Sequence, residues 1–325
     1  MPAREEEHSA NYLSTQAPPS PPDPEPAGNL HAPPPPRPAP VIVAFGLKPE
    51  RLVGTEGRID AVPEPPSAEQ AGLLLEALSS GIKAGGAVIA IVPDWFAPEA
   101  LRRLEMARAL LDTGRVAIHV TSLPPLAATA LASLASSLAP RLPSAGLLAS
   151  ALPGLSDQLH QITWLGSVTG LKHPAPSIGQ HAWSLTPGSA FAVSSHPEPA
   201  VHKVQSGQPS VPLPRVVRPS RLAISARNGD EGWIAGPVNA ALGNLPIIRV
   251  EATPGGQEYW GTGKVVEGVV VPADAGGLAQ ELLQSVDAWS CRWCGELIAR
   301  SPCPLCGHRA RPRRRPTQPQ QGARK

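Results

Sequence analysis

The chain has 325 residues, with 28 Lys/Arg, 26 Asp/Glu, 42 prolines and 30 glycines. Hydrophobic residues make up 42%, enough for a real core, which excludes wholesale disorder, and no apolar run reaches the roughly 18 residues of a transmembrane helix. The net charge of +2 is unevenly placed: from position 291 to the end nine bases meet one acid, while the preceding 290 residues hold 19 bases and 25 acids.

Residues 1–40 contain thirteen prolines and read as a disordered or polyproline II tail. Val41–Phe45 is a short buried strand. Ser67, with Gln70 in the capping-box position, opens a helix that runs through Leu73, Leu74, Leu78 and Ile82 to Gly85 and Gly86. Residues 87–92 form a second strand. Pro98 starts a second helix, with Leu101, Leu104, Ala107, Leu110 and Leu111 at helical spacing up to Gly114. Residues 116–120 form a third strand, and Pro124 and Pro125 open an Ala/Leu-rich helix to about Ala139. Continuous apolar strands alternating with helices predict an α/β fold with a largely parallel sheet covered on both faces.

Residues 144–170 read as helical, broken at Pro153 and Gly154 and resumed in DQLHQITWL. The 171–220 segment is Pro-rich, with a short strand over Phe191–Ser194. From Arg221 the pattern turns strand-rich, at 221–226, 232–236, 246–252 and 264–271, followed by a helix over 276–286. The expected organisation is one body over 41–288, built on a single continuous mixed sheet in preference to two subdomains, 41–170 and 221–288, joined by 171–220. A cysteine module follows at 289–308, then a disordered basic tail at 309–325.

All four cysteines lie in this module, as Cys291-Arg-Trp-Cys294-Gly295, then, after the eight residues 295–302, Cys303-Pro-Leu-Cys306-Gly307. Two CxxC pairs supply the four thiolates of a tetrahedral site. Gly295 and Gly307 can take the positive φ that lets backbone amides turn toward sulfur. The expected ion is Zn²⁺, with iron held by the same four thiolates as the alternative. His308 reads as a non-ligand, since four thiolates fill the shell; a filled shell leaves no open position for catalysis. Arg292, Arg300 and Arg309 are placed to offset the negative cluster, and Trp289 and Trp293 to cover it. The CxxCG and CPxCG pairs resemble the knuckles of the zinc-ribbon family over about residues 289–308. The resemblance implies a bound metal; members of that family serve nucleic-acid binding, protein docking or structural capping.

Beyond the module, Arg309, Arg311, Arg313, Arg314 and Arg315 open a stretch that holds seven Lys/Arg and no acid from Gly307 onward. They are candidates for an acidic partner, nucleic acid or protein. In the body, a parallel sheet binds ligands beyond the carboxyl ends of its strands. Gly46, Lys48, Asp94, Trp95, His119 and Thr121 fall there, with Asp94, Trp95 and His119 as the candidate ligand crevice, although His119 also fits a core histidine. The 261–264 GTGK sequence lacks the spacing of a phosphate loop and reads as a hairpin turn, and Ser80 with Lys83 has no partner motif. His160, His173, His181, His196 and His202 match no ligand spacing. The expectation is a non-enzymatic adaptor or scaffold that docks an acidic partner through its C-terminal module. The alternative is an enzyme acting on a phosphorylated or nucleotide-like molecule at the strand ends, for which no nucleophile or base is recognisable. Paired cysteines without a secretory signal point to a cytoplasmic chain with no membrane partner.

Overall fold

The computed structural model describes residues 38–309 except 49, 55–56, 63–70, 97, 112 and 195–198. The Ser67 and Gln70 capping box, His196, the N-terminal tail and Arg311 to Arg315 lie outside these residues. Four parallel strands form the first sheet in the order β2-β1-β3-β4: β1 (Val41–Phe45), β2 (Ile59–Val62), β3 (Val88–Pro93) and β4 (Val116–Thr121). Alternate residues go to opposite faces. Val41, Val43, Val88, Ala90 and Val92 meet Leu74 and Leu78 of α1 (Ala71–Gly85) and Leu104 of α2 (Pro98–Leu110). Ile42, Ala44, Ile89 and Ile91 face α3 (Pro125–Leu138) and α4 (Ala145–Ser156). The α/β class with a parallel sheet flanked by helices is therefore the fold.

The body does not form one continuous sheet. A second, six-stranded sheet runs in the order β7-β6-β5-β10-β8-β9. Its strands are β5 (His160–Leu165), β6 (Phe191–Ser194), β7 (Ala200–Lys203), β8 (Ser220–Arg227), β9 (Ile247–Val250) and β10 (Val265–Pro272). All neighbours are antiparallel except β8 and β9. Two sequence expectations change here. The 160–165 segment, read as helix, is a strand because it pairs with β10 from Val270 opposite His160 to Val265 opposite Leu165. The 232–236 segment, read as strand, is helical: Asp230 accepts a hydrogen bond from Trp233 N–H and caps α6 (Glu231–Trp233), which continues through a π-helical turn (Ile234–Val238) into α7 (Asn239–Ala241). α5 (Ile178–Ser184), α8 (Gly256–Trp260) and α9 (Ala275–Ser285) complete the body. The 261–264 turn joins α8 to β10 and is not a hairpin.

α3 holds the two sheets together. Every one of its residues is buried, and it packs on β1 and β3 as well as on β10, α8 and α9. Its sequence is rich in Ala and Ser, which allows close approach from both sides. The hydroxyls compensate for the polar backbone they bury: Ser133 Oγ accepts from Leu52 and Val53 N–H at 2.8 and 3.0 Å, and Ser137 Oγ donates to Val53 C=O. Among the described residues no helix is long and apolar enough to cross a membrane.

Candidate functional site

Past the carboxyl end of β3, aromatic side chains meet rings contributed by the α8 region, beside the second sheet. Trp95 and Phe96, just past β3, have ring centroids 4.4 Å apart. Trp95 meets Tyr259 edge-on at 5.5 Å, and Tyr259 meets Trp260 at 4.8 Å. Trp95 Nε1 donates to Leu123 C=O at 3.1 Å, which fixes the ring against the loop after β4. Two glycines make room for these rings. Gly46, at φ 60°, lies under Phe96, where a Cβ would come within 2.0 Å of the ring, and a Cβ at Gly255 would come within 3.2 Å of Trp95. The rim is polar: Lys48 Nζ bridges to Glu251 at 2.5 Å across the crevice and to Glu50 at 3.4 Å. Burial pushes the Asp94 carboxyl above its ordinary range, opposed by His173 nearby.

Of the sequence candidates, Asp94 and Trp95 stand together at this crevice. His119 does not join them: its Nε2 lies 3.4 Å from Ser156 Oγ of α4, and burial first, then the charge of Arg300, lowers its pKa to about 4. The sequence reading missed Tyr259, Trp260 and above all Glu267. Glu267 is 1% exposed on β10, behind Trp260. Its Oε1 accepts from Trp260 Nε1 at 3.1 Å, Leu126 N–H at 3.3 Å and Gln161 Nε2 at 3.3 Å. Thr253 Oγ1 contacts its Oε2. Burial raises its pKa, only partly countered by these hydrogen bonds. A lone acid in the apolar run VVEGVVV was the available signal.

The C-terminal module is two knuckles of the same geometry. Cys291 N–H donates to Glu296 C=O and Gly295 N–H to Cys291 C=O; Cys303 N–H and Gly307 N–H repeat the pattern at His308 C=O and Cys303 C=O. Gly295 and Gly307 have φ of 70° and 74°. β11 (Trp289–Ser290) pairs with β12 (Leu297–Ile298). All four cysteines are free, with their sulfurs within 4.8 Å of one another. Burial opposes ionisation of Cys291, but the backbone N–H groups of Cys294 and Trp293 and the neighbouring thiols outweigh it and bring the thiol down to about 7. Trp293 does not cover the module: it is 79% exposed and stacks on His308. Trp289 does pack against the core.

The module is built into the body. Cys291, Ile298, Cys303 and Leu305 belong to the main core. Glu296, 2% exposed, accepts from Ser144 Oγ at 2.6 Å and pairs with Arg115 at 3.3 Å. Arg108 donates to Leu305 C=O, and Ala299 N–H donates to Ser150 Oγ at 3.2 Å. A Cβ at Gly146 would lie 2.7 Å from Leu297 C=O and 2.9 Å from Ile298 Cγ2. Ala is the better helix former by about 1 kcal/mol, yet overpacking against a backbone carbonyl costs about 1–3 kcal/mol. Gly146→Ala is therefore expected to lower stability in a denaturant titration. A stabilised variant would mean that the module does not press on α4.

No protein-family model matches this sequence, and no curated protein matches it. Solved structures do match in fold. A DegV family protein from Thermus thermophilus whose structure concerns fatty-acid binding is 13% identical, with a TM-score of 0.53, covering 72% of this chain and 99% of that chain. A DegV family protein from Corynebacterium glutamicum is 14% identical, with a TM-score of 0.52, covering 73% of this chain and 98% of that one. The fold is thus DegV-like. This likeness overturns the expected adaptor that docks nucleic acid or protein. The fold that carries the module is one in which a solved member takes a fatty acid. The module, packed into the core, is not a separate docking arm. Arg309 is exposed at its edge.

Proposed function

We propose that the chain binds a long-chain fatty acid, with the acyl chain lodged in the strand-end crevice and the carboxylate at its polar rim. The observation that carries this reading is the aromatic cluster of Trp95, Phe96 and Tyr259 at the strand ends, in a fold that matches a fatty-acid-binding chain over 99% of its length. Apolar side chains beside a few polar groups are what an amphiphile requires. The rim itself is polar, with Lys48 shared between Glu50 and Glu251. The test is native mass spectrometry of delipidated protein with palmitate and oleate, beside tryptophan quenching. A one-to-one adduct is expected, weakened about tenfold in Trp95→Ala by loss of buried aromatic contact. Absence of any adduct, or undiminished binding by the variant, would remove the crevice from consideration.

For the four cysteines we propose a structural Zn²⁺. The sulfur pairs Cys291–Cys306 and Cys294–Cys303 stand at 3.6 and 3.7 Å. That supports tetrahedral thiolate coordination, whose edges are about 3.8 Å for Zn–S bonds of about 2.3 Å. The ion would fix the knuckles and take no part in ligand chemistry. Elemental analysis separates one zinc per chain from the iron alternative.

A further inference from the structure

Each knuckle holds one cysteine in the core and one at the surface. Cys291 and Cys303 are buried, whereas Cys294 and Cys306 are half-buried. The sulfur contacts across the module join one of each kind. Cys306 Sγ lies 3.6 Å from Cys291 Sγ, and Cys294 Sγ 3.7 Å from Cys303 Sγ. Both contacts run from one knuckle to the other.

Cys306 also has a route to solvent. It lines an open cleft of about 540 Å³ between the end of α2 and the second knuckle. Glu105, Arg108 and Thr113 make the cleft polar, and Ala109 and Trp293 complete it. At Gly114 the chain passes close to the cysteine: a Cβ there would lie 3.3 Å from Cys306 Cβ.

From this arrangement we infer that the module is a site of oxidation by hydrogen peroxide, with Cys306 attacked first and Cys291 resolving it. A small polar oxidant suits the cleft, and a thiolate is the nucleophile that it meets. The Cys306 thiolate displaces hydroxide from peroxide and becomes a sulfenic acid. The Cys291 thiolate attacks that sulfur, forms the S–S bond and releases a second hydroxide. The contact then shortens from 3.6 Å to about 2.05 Å. Cys294 and Cys303 consume a second peroxide in the same way. Four thiolates thus pass four electrons to two peroxides, giving two disulfides, four hydroxides and one released Zn²⁺. Leu305, next to Cys306, accepts the Arg108 hydrogen bond that ties the second knuckle to α2. Closure of the pair therefore acts on the joint between module and body. The released ion rests on the zinc reading; the disulfide pairing does not.

The experiment treats the zinc-loaded full chain with hydrogen peroxide. Released zinc is followed with a chromogenic chelator, and disulfides are mapped by mass spectrometry of non-reduced tryptic peptides. Cleavage after Arg292, Arg300 and Arg309 puts Cys291 and Cys294 on separate peptides and Cys303 with Cys306 on a third. The expected map holds all three peptides together, and a further cut after Leu305 assigns the partners. Zinc release is expected to track loss of the four thiols and to be reversed by dithiothreitol with added zinc. A109F fills the cleft from an exposed position, so its thermal melting is expected to match wild type while its release of zinc slows about fivefold. Disulfides confined within each CxxC pair would overturn the proposal. So would zinc that stays bound while the exposed Met106 is oxidised, or equal release from A109F, which would remove Cys306 as the point of attack. A purified chain without zinc would overturn the zinc reading, and the disulfide map of its free thiols would still decide the pairing.

Discussion

Cys303→Ser is expected to lower the melting temperature of the whole α/β body by about 10 °C, with no separate transition for the C-terminal module. The size follows from what the knuckles hold. Structural zinc sites contribute folding free energy directly, and here the coordinating residues are also core residues: Cys303 is 1% exposed and Cys291 2%. Loosening them strips packing from Ile298 and Leu305 and slackens the anchorage of Glu296 to Ser144 and Arg115. A loss of about 3–5 kcal/mol is ordinary for a broken buried network, and in a body of this size each kcal/mol shifts the midpoint by about 2–4 °C. Chelation of the wild-type protein is expected to reproduce the shift, and zinc to reverse it. Calorimetry that shows an unchanged main transition and a small early one would mean that the module folds on its own. No shift with either treatment would remove the metal from the stability of the protein.

The first sheet was legible because its strands are uninterrupted apolar runs punctuated by Gly and Pro, signals that are local. The second sheet was less so. In DQLHQITWL the apolar residues Leu159, Ile162 and Leu165 recur every three positions, which fits helical spacing and breaks strand alternation. What decides is pairing with β10, about a hundred residues further on, and no local pattern carries that. α4 also runs past Pro153 to Ser156, so the expected break is absent. The helical turn at Glu231–Trp233 did have a local sign, Asp230 three residues before Trp233, which the apolar look of GWIAG obscured.

The site divides in the same way. Asp94 and Trp95 follow from the rule that ligands gather at strand ends, and the four cysteines from their spacing. Tyr259 and Glu267 come to the crevice only through the second sheet. The adaptor reading failed because it gave weight to the charge of the tail. Charge arithmetic does not reveal that the module preceding the tail packs on α4 and α2.

Glu267→Gln is expected to become more stable than wild type as pH rises, and Glu267→Ala to be less stable at every pH. Glu267 has a pKa above its ordinary 4.5, raised by burial. An acid with a raised folded-state pKa binds its proton more tightly when folded than when unfolded. Its contribution to stability is then complete below 4.5 and lost as pH rises through the folded-state value. Gln cannot ionise, so it has nothing to lose in that window. It also keeps the bonds: its carbonyl accepts from Leu126, Gln161 and Trp260, and its amide donates to Thr253 Oγ1. The two proteins should therefore unfold alike below 4.5 and diverge above it, the variant ahead. Ala strands three buried donors that Glu267 satisfies. At about 1–3 kcal/mol for each unsatisfied group, the cost is about 3–5 kcal/mol once the site relaxes. Because these donors come from α3, β5 and α8, that loss falls on the joint between the two sheets that forms the crevice. Urea titrations across pH decide the matter. A Gln variant several kcal/mol weaker than wild type at neutral pH would mean that Glu267 is held ionised, its charge balanced by the α3 N-terminus and the surrounding donors, and the reading of a neutral buried acid would be abandoned.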